Sequence, residues 1–173
     1  TSFVAVIKTA NEYKEAWKIE GSIDEMKTDL FMHSTKLVSK LAKSNEVFKW
    51  GIYKRPDVNK LFVKNITFLG DAAHPIVPFL GQGGCMALED AYIFGKLLIK
   101  YRDDIAHAQR EYKRLRAPRL RMVKRMSETQ GYLYHLSNPF IISIRNFLMR
   151  NSSSTTEKRL MRIWDYDPNN DLK

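Results

Sequence analysis

Hydrophobic and polar positions divide the chain into short extended stretches and long helical ones. Within Thr1–Thr9 the run F-V-A-V-I is near-continuously apolar, the pattern of a buried strand. Ser22 with Glu25 three residues later fits a capping box, which predicts a helix from Ile23 to about His33. Ser34 is placed to cap a second helix, Thr35 to about Lys43, with Leu37, Val38 and Leu41 on its apolar face. Val47–Tyr53 alternates, with Phe48, Trp50 and Ile52 on one side, and predicts a strand ended by the turn signal Arg55-Pro56-Asp57. Ile66–Leu69 predicts a short buried strand that Gly70-Asp71 stops.

Beyond this point the apolar period becomes helical. Met86, Leu88, Ala91, Phe94, Leu97 and Leu98 recur at helical spacing and predict a helix from about Cys85 to about Tyr101. Asp103-Asp104 suits the start of another, with Ile105, Ala108, Tyr112 and Leu115 as its stripe. Pro118 is predicted to kink or interrupt that helix, and Met122, Val123 and Met126 resume the stripe. Gly131–Phe147, broken at Ser137-Asn138-Pro139, predicts two short helices. Asn151–Thr156 reads as a polar linker, Glu157–Trp164 as one or two helical turns, and Asp165–Lys173 as a tail.

The segment joining strand to helix carries the chemistry. It reads G-D-A-A-H-P-I-V-P-F-L-G-Q-G-G-C-M-A-L-E-D-A over residues 70–91. Asp71 stands at the strand end, where a carboxylate accepts hydrogen bonds from ligand hydroxyls. Pro75 and Pro78 stiffen the stretch between, while Gly81, Gly83 and Gly84 let the backbone approach a flat or charged group. The free amides of a helix N-terminus stabilise negative charge. A ligand with a polyol at one end and an anionic ring at the other fits both features, and reduced flavin is such a ligand. Cys85, the single cysteine, permits no internal disulfide and reads as a small buried residue or a reactive thiol.

This segment resembles the second FAD-binding motif of the flavoprotein aromatic hydroxylases of the salicylate-hydroxylase type, relatives of zeaxanthin epoxidase and kynurenine monooxygenase. The matching positions are Gly70–His74, Pro78, Gly81–Gly83 and Glu89–Ala91, some dozen in 22 residues. The resemblance implies a mixed α/β fold, the C-terminal part of an FAD/NAD(P)-binding aromatic-hydroxylase fold. It implies a substrate-binding sheet end over residues 1–55, part of an FAD-binding domain over 56–130, and a C-terminal helical segment and tail over 131–173. It implies NAD(P)H as reductant, O₂ as co-substrate, and hydroxylation or epoxidation of a small aromatic or conjugated substrate through a flavin C4a-hydroperoxide. By the same resemblance, Gly70, Asp71, Pro78, Gly81, Gln82, Gly83, Gly84 and Cys85 bind the cofactor. Pro78, Phe79 and Leu80 line the side where oxygen reacts. Trp50 is open to two readings, a substrate-facing ring or a core aromatic. His74 reads as structural rather than as a proton carrier, and no catalytic base or metal ligand is assigned.

Other family landmarks do not occur: no G-x-G-x-x-G follows a strand, and no Asp-Gly dipeptide is present. The expectation is therefore a C-terminal portion without the first Rossmann unit, unable alone to hold FAD stoichiometrically. It would associate with a second copy or with the missing N-terminal part. Same-fold reductases or dehydrogenases are an alternative reading.

Composition changes this picture in one respect. The chain has 173 residues, 44% hydrophobic, and no apolar run as long as a membrane span, and the lone cysteine fits a cytoplasmic setting. Its formal charge is +10, and Lys96 to Arg125 alone carries +8, with eleven basic residues against Asp103, Asp104 and Glu111. That stretch raises a non-catalytic alternative, a basic module for nucleic acid or an acidic partner. The cations lie mostly off the apolar stripe, so a solvated helix face is the expectation. Binding to random duplex DNA should be no tighter than generic, about 10⁻⁴ to 10⁻⁶ M at physiological salt. A salt-controlled mobility-shift titration checks this, and nanomolar binding would favour the basic module.

Overall fold

The computed structural model describes residues 3–9, 19–30, 35–43, 46–54 and 60–173. The chain divides into two compact units, Thr1–Tyr53 and Lys54–Lys173. In the first, β1 (Ile19–Glu20) pairs antiparallel with β2 (Phe48–Lys49), Ile19 opposite Lys49. Helix α1 (Ile23–Asp29) begins in the expected capping box: Ser22 Oγ accepts from the Glu25 amide at 3.0 Å, and the Ser22 amide donates to Glu25 Oε2 at 3.1 Å. It stops at Asp29, short of the expected end, and residue 33 lies outside the described residues. Helix α2 spans Thr35–Leu41; its expected cap Ser34 and the Arg55-Pro56-Asp57 turn also lie outside them. The strand expected over Thr1–Thr9 is not formed in 3–9, where Phe3 and Val4 are exposed. The strand expected over 47–53 shortens to β2, the two residues that pair with β1.

The second unit opens with a hairpin, β3 (Phe62–Val63) against β4 (Ile66–Thr67), turned by Lys64 at φ +52. The strand expected at Ile66–Leu69 is thus short and paired locally, with Ile66 exposed and Phe68 and Leu69 leaning onto the core. Two 3-10 turns follow, Gly70–Ala72 and Pro78–Leu80, and then helix α3 (Gly83–Lys100). Tyr101 ends α3, and Asp104 caps α4 (Ile105–Tyr134) by accepting from the His107 amide at 2.8 Å.

The core lies between α3 and α4 and includes Met86, Ile93, Leu97, Tyr112, Leu120 and Val123, closed by Leu61 and Ala73 from the preceding loops. The inward face of α3 is Met86, Asp90, Ile93 and Leu97, so Leu88 and Leu98 point outward, against the expected stripe. Pro118 does not interrupt α4, which runs unbroken through it. Buried contacts on both sides hold the helix across the missing hydrogen bond: Tyr112 and Arg116 before it, Arg119 and Leu120 after.

α4 continues past Gly131, and α5 (Pro139–Asn151) starts where Asn138 Oδ1 accepts from the Phe140 amide at 2.9 Å. The expected polar linker is helical instead: α6 spans Ser153–Trp164. The expected tail is docked rather than loose, ending in a 3-10 turn at Asn170–Leu172 with Leu172 against the core. No helix among the described residues is long and apolar enough to cross a membrane.

Charge, not only apolar packing, joins these pieces. Arg116 and Arg119 are buried, exceptions to the solvated face expected for the cations, which lie mostly off the apolar stripe. Arg116 Nε donates to Asp90 Oδ1 at 2.7 Å and its Nη1 lies 2.8 Å from Glu89 Oε2; Arg119 Nη2 lies 2.9 Å from Glu89 Oε1. Burial alone would raise the Asp90 pKa, but His74, the Gly70 amide and Arg116 outweigh it and hold the carboxyl below the usual range. A pKa depressed by folding adds stability above the unfolded value, near 3.9, that is lost as pH falls through the folded value. Removing one member of a buried pair leaves the other uncompensated, so Arg116→Met should cost about 3 to 5 kcal/mol at neutral pH. Asp90→Leu in addition should cost much less than the sum of the two single changes. Urea denaturation at pH 7 of the whole protein and the three variants checks both statements.

Candidate functional site

The 3-10 turn Gly70–Ala72 and the first turn of α3 face one another across an open cleft of about 280 Å³, lined by Leu69, Gly70, Asp71, Gly83, Gly84 and Ala87. Gly70 adopts φ +56, and a Cβ there would meet the Ala87 Cβ at 3.0 Å. Both facts restrict the position to glycine, and together they bring the turn hard against α3. The Gly70 amide donates to Asp90 Oδ2 at 3.0 Å, and the Gly70 carbonyl accepts from the amides of Ala73 and His74, both at 2.9 Å. Asp71 is left exposed at the cleft, its Oδ1 3.8 Å from where a Gly83 Cβ would stand.

The N-terminus of α3 is open. The N-cap Gln82 makes no side-chain cap bond, and the first turn holds no acidic residue. A Cβ on Gly84 would meet nothing within 4 Å. The first intrahelical bond runs from the Met86 amide to the Gln82 carbonyl at 2.9 Å, so the preceding amides have no acceptor within the helix. Exposed Cys85 sits in this turn. The arrangement suits a ligand carrying hydroxyls for Asp71 and negative charge for the helix end.

Pro78, Phe79 and Leu80 form the neighbouring 3-10 turn, closed by Gly81 at φ +64. Ser127 Oγ donates to the Val77 carbonyl at 2.6 Å, and Gln82 Nε2 to the Leu80 carbonyl at 3.4 Å. The Phe79 ring stands edge-on to Tyr134 and His135, centroids 6.3 and 5.6 Å away. Gly131 makes room for it: a Cβ there would lie 2.4 Å from the ring. Trp50 belongs to the first unit, just past β2, with half its surface exposed.

Of the residues picked out from sequence, Gly70, Asp71, Gly83 and Gly84 line one cleft, with Gly81, Gln82 and Cys85 contiguous to it in the chain. His74 is buried and its Nε2 pairs with Asp90 Oδ2, a structural role, while its Nδ1 has no partner among the described residues. The sequence reading missed the roles of Asp90, Arg116, Arg119 and Tyr166. Position 90 carried a signal: it falls four residues after Met86 and three before Ile93, on the inward face, where a carboxylate needs a partner. Among the described residues no group of His, Cys, Asp and Glu could hold a metal ion.

No family model matches the chain. It is 32% identical over 134 residues to a 3-amino-4-hydroxybenzoate 2-monooxygenase of Streptomyces platensis, covering 78% of this chain and 34% of that protein. It is 30% identical over 151 residues to a 3-hydroxybenzoate 6-hydroxylase of Klebsiella oxytoca, covering 87% of this chain and 38% of the relative. A solved salicylate hydroxylase substrate complex superposes with a TM-score of 0.73 at 25% identity, over 98% of this chain and 41% of that one. The chain thus spans only about two-fifths or less of the proteins it matches. The fold is that of the C-terminal part of an aromatic-ring hydroxylase. By sequence and fold the chain is similar to the C-terminal part of the salicylate-hydroxylase-like aromatic-ring monooxygenases.

Proposed function

We propose that the protein bearing this chain is a flavin-dependent monooxygenase acting on a small aromatic ring, with NAD(P)H as reductant and O₂ as co-substrate. This chain would supply the part of the FAD site that meets the ribityl chain and the ring. The observation that carries the reading is the juxtaposition of the Asp71 carboxylate with the uncapped, glycine-lined N-terminus of α3 in one cleft. The similar proteins, hydroxylases and monooxygenases of hydroxybenzoates, support the substrate class.

The residues present fit FAD. When bound, FAD supplies the electron transfer and oxygen activation that no side chain here can perform. The Asp71 carboxylate accepts hydrogen bonds from ribityl hydroxyls. The amides of Gly83, Gly84 and Cys85, at the positive end of α3, favour negative charge on the pyrimidine side of the ring. Gly81 and Gln82 let the chain pass close to the ring, with Gly70 fixing where Asp71 stands. The Pro78-Phe79-Leu80 turn, held by Ser127 and by Phe79 in its Gly131 notch, forms a stiff wall on the oxygen-reacting side. Trp50 is assigned to the substrate side on the resemblance of its strand to the family's substrate sheet.

A charge-assisted hydrogen bond contributes about 1.5 to 3 kcal/mol, so Asp71→Ala in the whole protein should weaken FAD binding roughly ten- to hundredfold. Fluorescence titration of the flavin-free protein checks this, and wild-type affinity in the variant would remove Asp71 from the site.

A further inference from the structure

The Gly70–Asp71 turn is tied to the C-terminal tail by an unbroken line of hydrogen bonds. The Gly70 amide donates to Asp90 Oδ2 at 3.0 Å, and Asp90 Oδ1 accepts from Arg116 Nε at 2.7 Å. On the other edge of the guanidinium, Arg116 Nη1 donates to the Tyr166 hydroxyl at 3.2 Å. Tyr166 in turn donates to Asp171 Oδ2 at 2.5 Å. The direction is fixed by proton supply. A phenol has one proton; given to Asp171, it leaves only lone pairs for Arg116.

Asp90, Arg116 and Tyr166 are each constrained elsewhere, so little slack remains. Asp90 and Arg116 are fully buried, and Arg116 also reaches Glu89 Oε2 at 2.8 Å and Met86 Sδ at 3.8 Å. The Tyr166 ring lies 4.1 Å from the Arg119 guanidinium, whose Nη1 and Nη2 donate to the carbonyls of Arg162 and Ile163 at 2.7 and 2.9 Å, at the end of α6. A planar guanidinium gripped along both edges has one orientation, and that orientation aims Nε at Asp90.

We infer that Tyr166 is a positioning residue for the Asp71 turn: its hydroxyl orients Arg116, Arg116 orients Asp90, and Asp90 sets the Gly70 amide and hence the Asp71 carboxylate. The C-terminal tail is on this account part of the support of the ligand site. The inference deepens the flavin reading and rests on it for the identity of the ligand.

Tyr166→Phe removes the hydroxyl and keeps the ring over Arg119. Tyr92→Phe is the control: it removes another anchor of the tail, the bond from Tyr92 to Asn169 Oδ1 at 2.6 Å, without touching the line to Gly70. Two quantities are measured in the whole protein, the FAD dissociation constant and the exchange rate of the Gly70 amide in the flavin-free state. Tyr166→Phe should raise the dissociation constant about two- to tenfold, the range of one net hydrogen bond, and speed Gly70 exchange similarly. Tyr92→Phe should leave both at wild type. In an Asp71→Ala background Tyr166→Phe should have no further effect on FAD, because it acts through Asp71. Unchanged FAD affinity and Gly70 exchange in Tyr166→Phe, or equal effects of the two tyrosine variants, would overturn the inference. Failure of the wild-type protein to bind FAD would overturn the flavin reading instead, and Gly70 exchange would still decide whether Tyr166 positions the turn.

Discussion

The Asp90 carboxylate takes hydrogen bonds from the Gly70 amide, from His74 and from Arg116 at a place from which water is shut out. Taking an ionised carboxylate out of water costs several kcal/mol, repaid only where its oxygens are fully engaged. The three partners come from the turn after β4, from the segment that follows it, and from α4. One group on α3 therefore fixes the relation of three others, and each would lose its partner if the packing slipped by a turn of helix. Apolar contacts between Met86, Ile93, Tyr112 and Val123 supply the bulk of the burial but would tolerate more than one alignment. The charges select among alignments.

Around that centre the rest of the second unit arranges itself. Glu89, the next residue, bridges Arg116 and Arg119, and Arg119 holds the carbonyls that end α6. The tail is drawn in by Tyr166 and by Tyr92 bonding to Asn169. At the far end of α4, Ser127 and Gly131 fix the Pro78–Leu80 turn. The cleft thus sits between the Gly70–Ala72 turn, anchored to α3 through Asp90, and the first turn of α3 itself. Loops so held keep a glycine-lined surface in place without side chains of their own to pack it.

The parts of this structure legible in the sequence were those set by local rules. The capping box at Ser22 and Glu25, the break at Gly70-Asp71 and the order of the later helices follow from residue types a few positions apart. What escaped depended on distant partners. Pro118 reads as a breaker because its neighbours in space, which carry α4 across it, are far away in sequence. N-S-S-S-T-T reads as a linker by composition, yet it joins α6, where tertiary anchors at Arg162 and Ile163 override weak propensity. Leu88 seemed as inward as Met86 until Asp90 proved to own the core face, and no count of apolar positions assigns a carboxylate there. That Gly70, Asp71, Gly83 and Gly84 line one cleft was legible because the motif names them together. Its support by Arg116 and Tyr166 was not, because those residues stand 26 and 76 positions from Asp90 and carry no local pattern.

The central claim is that Asp71 and the N-terminus of α3 form one side of a flavin site. Crystallography of the whole protein with FAD bound tests it most directly. The account predicts the Asp71 carboxylate within about 3.2 Å of a ribityl hydroxyl, and the pyrimidine edge of the ring facing the amides of Gly83, Gly84 and Cys85. Flavin density elsewhere, with Asp71 and the end of α3 facing only solvent, would contradict it.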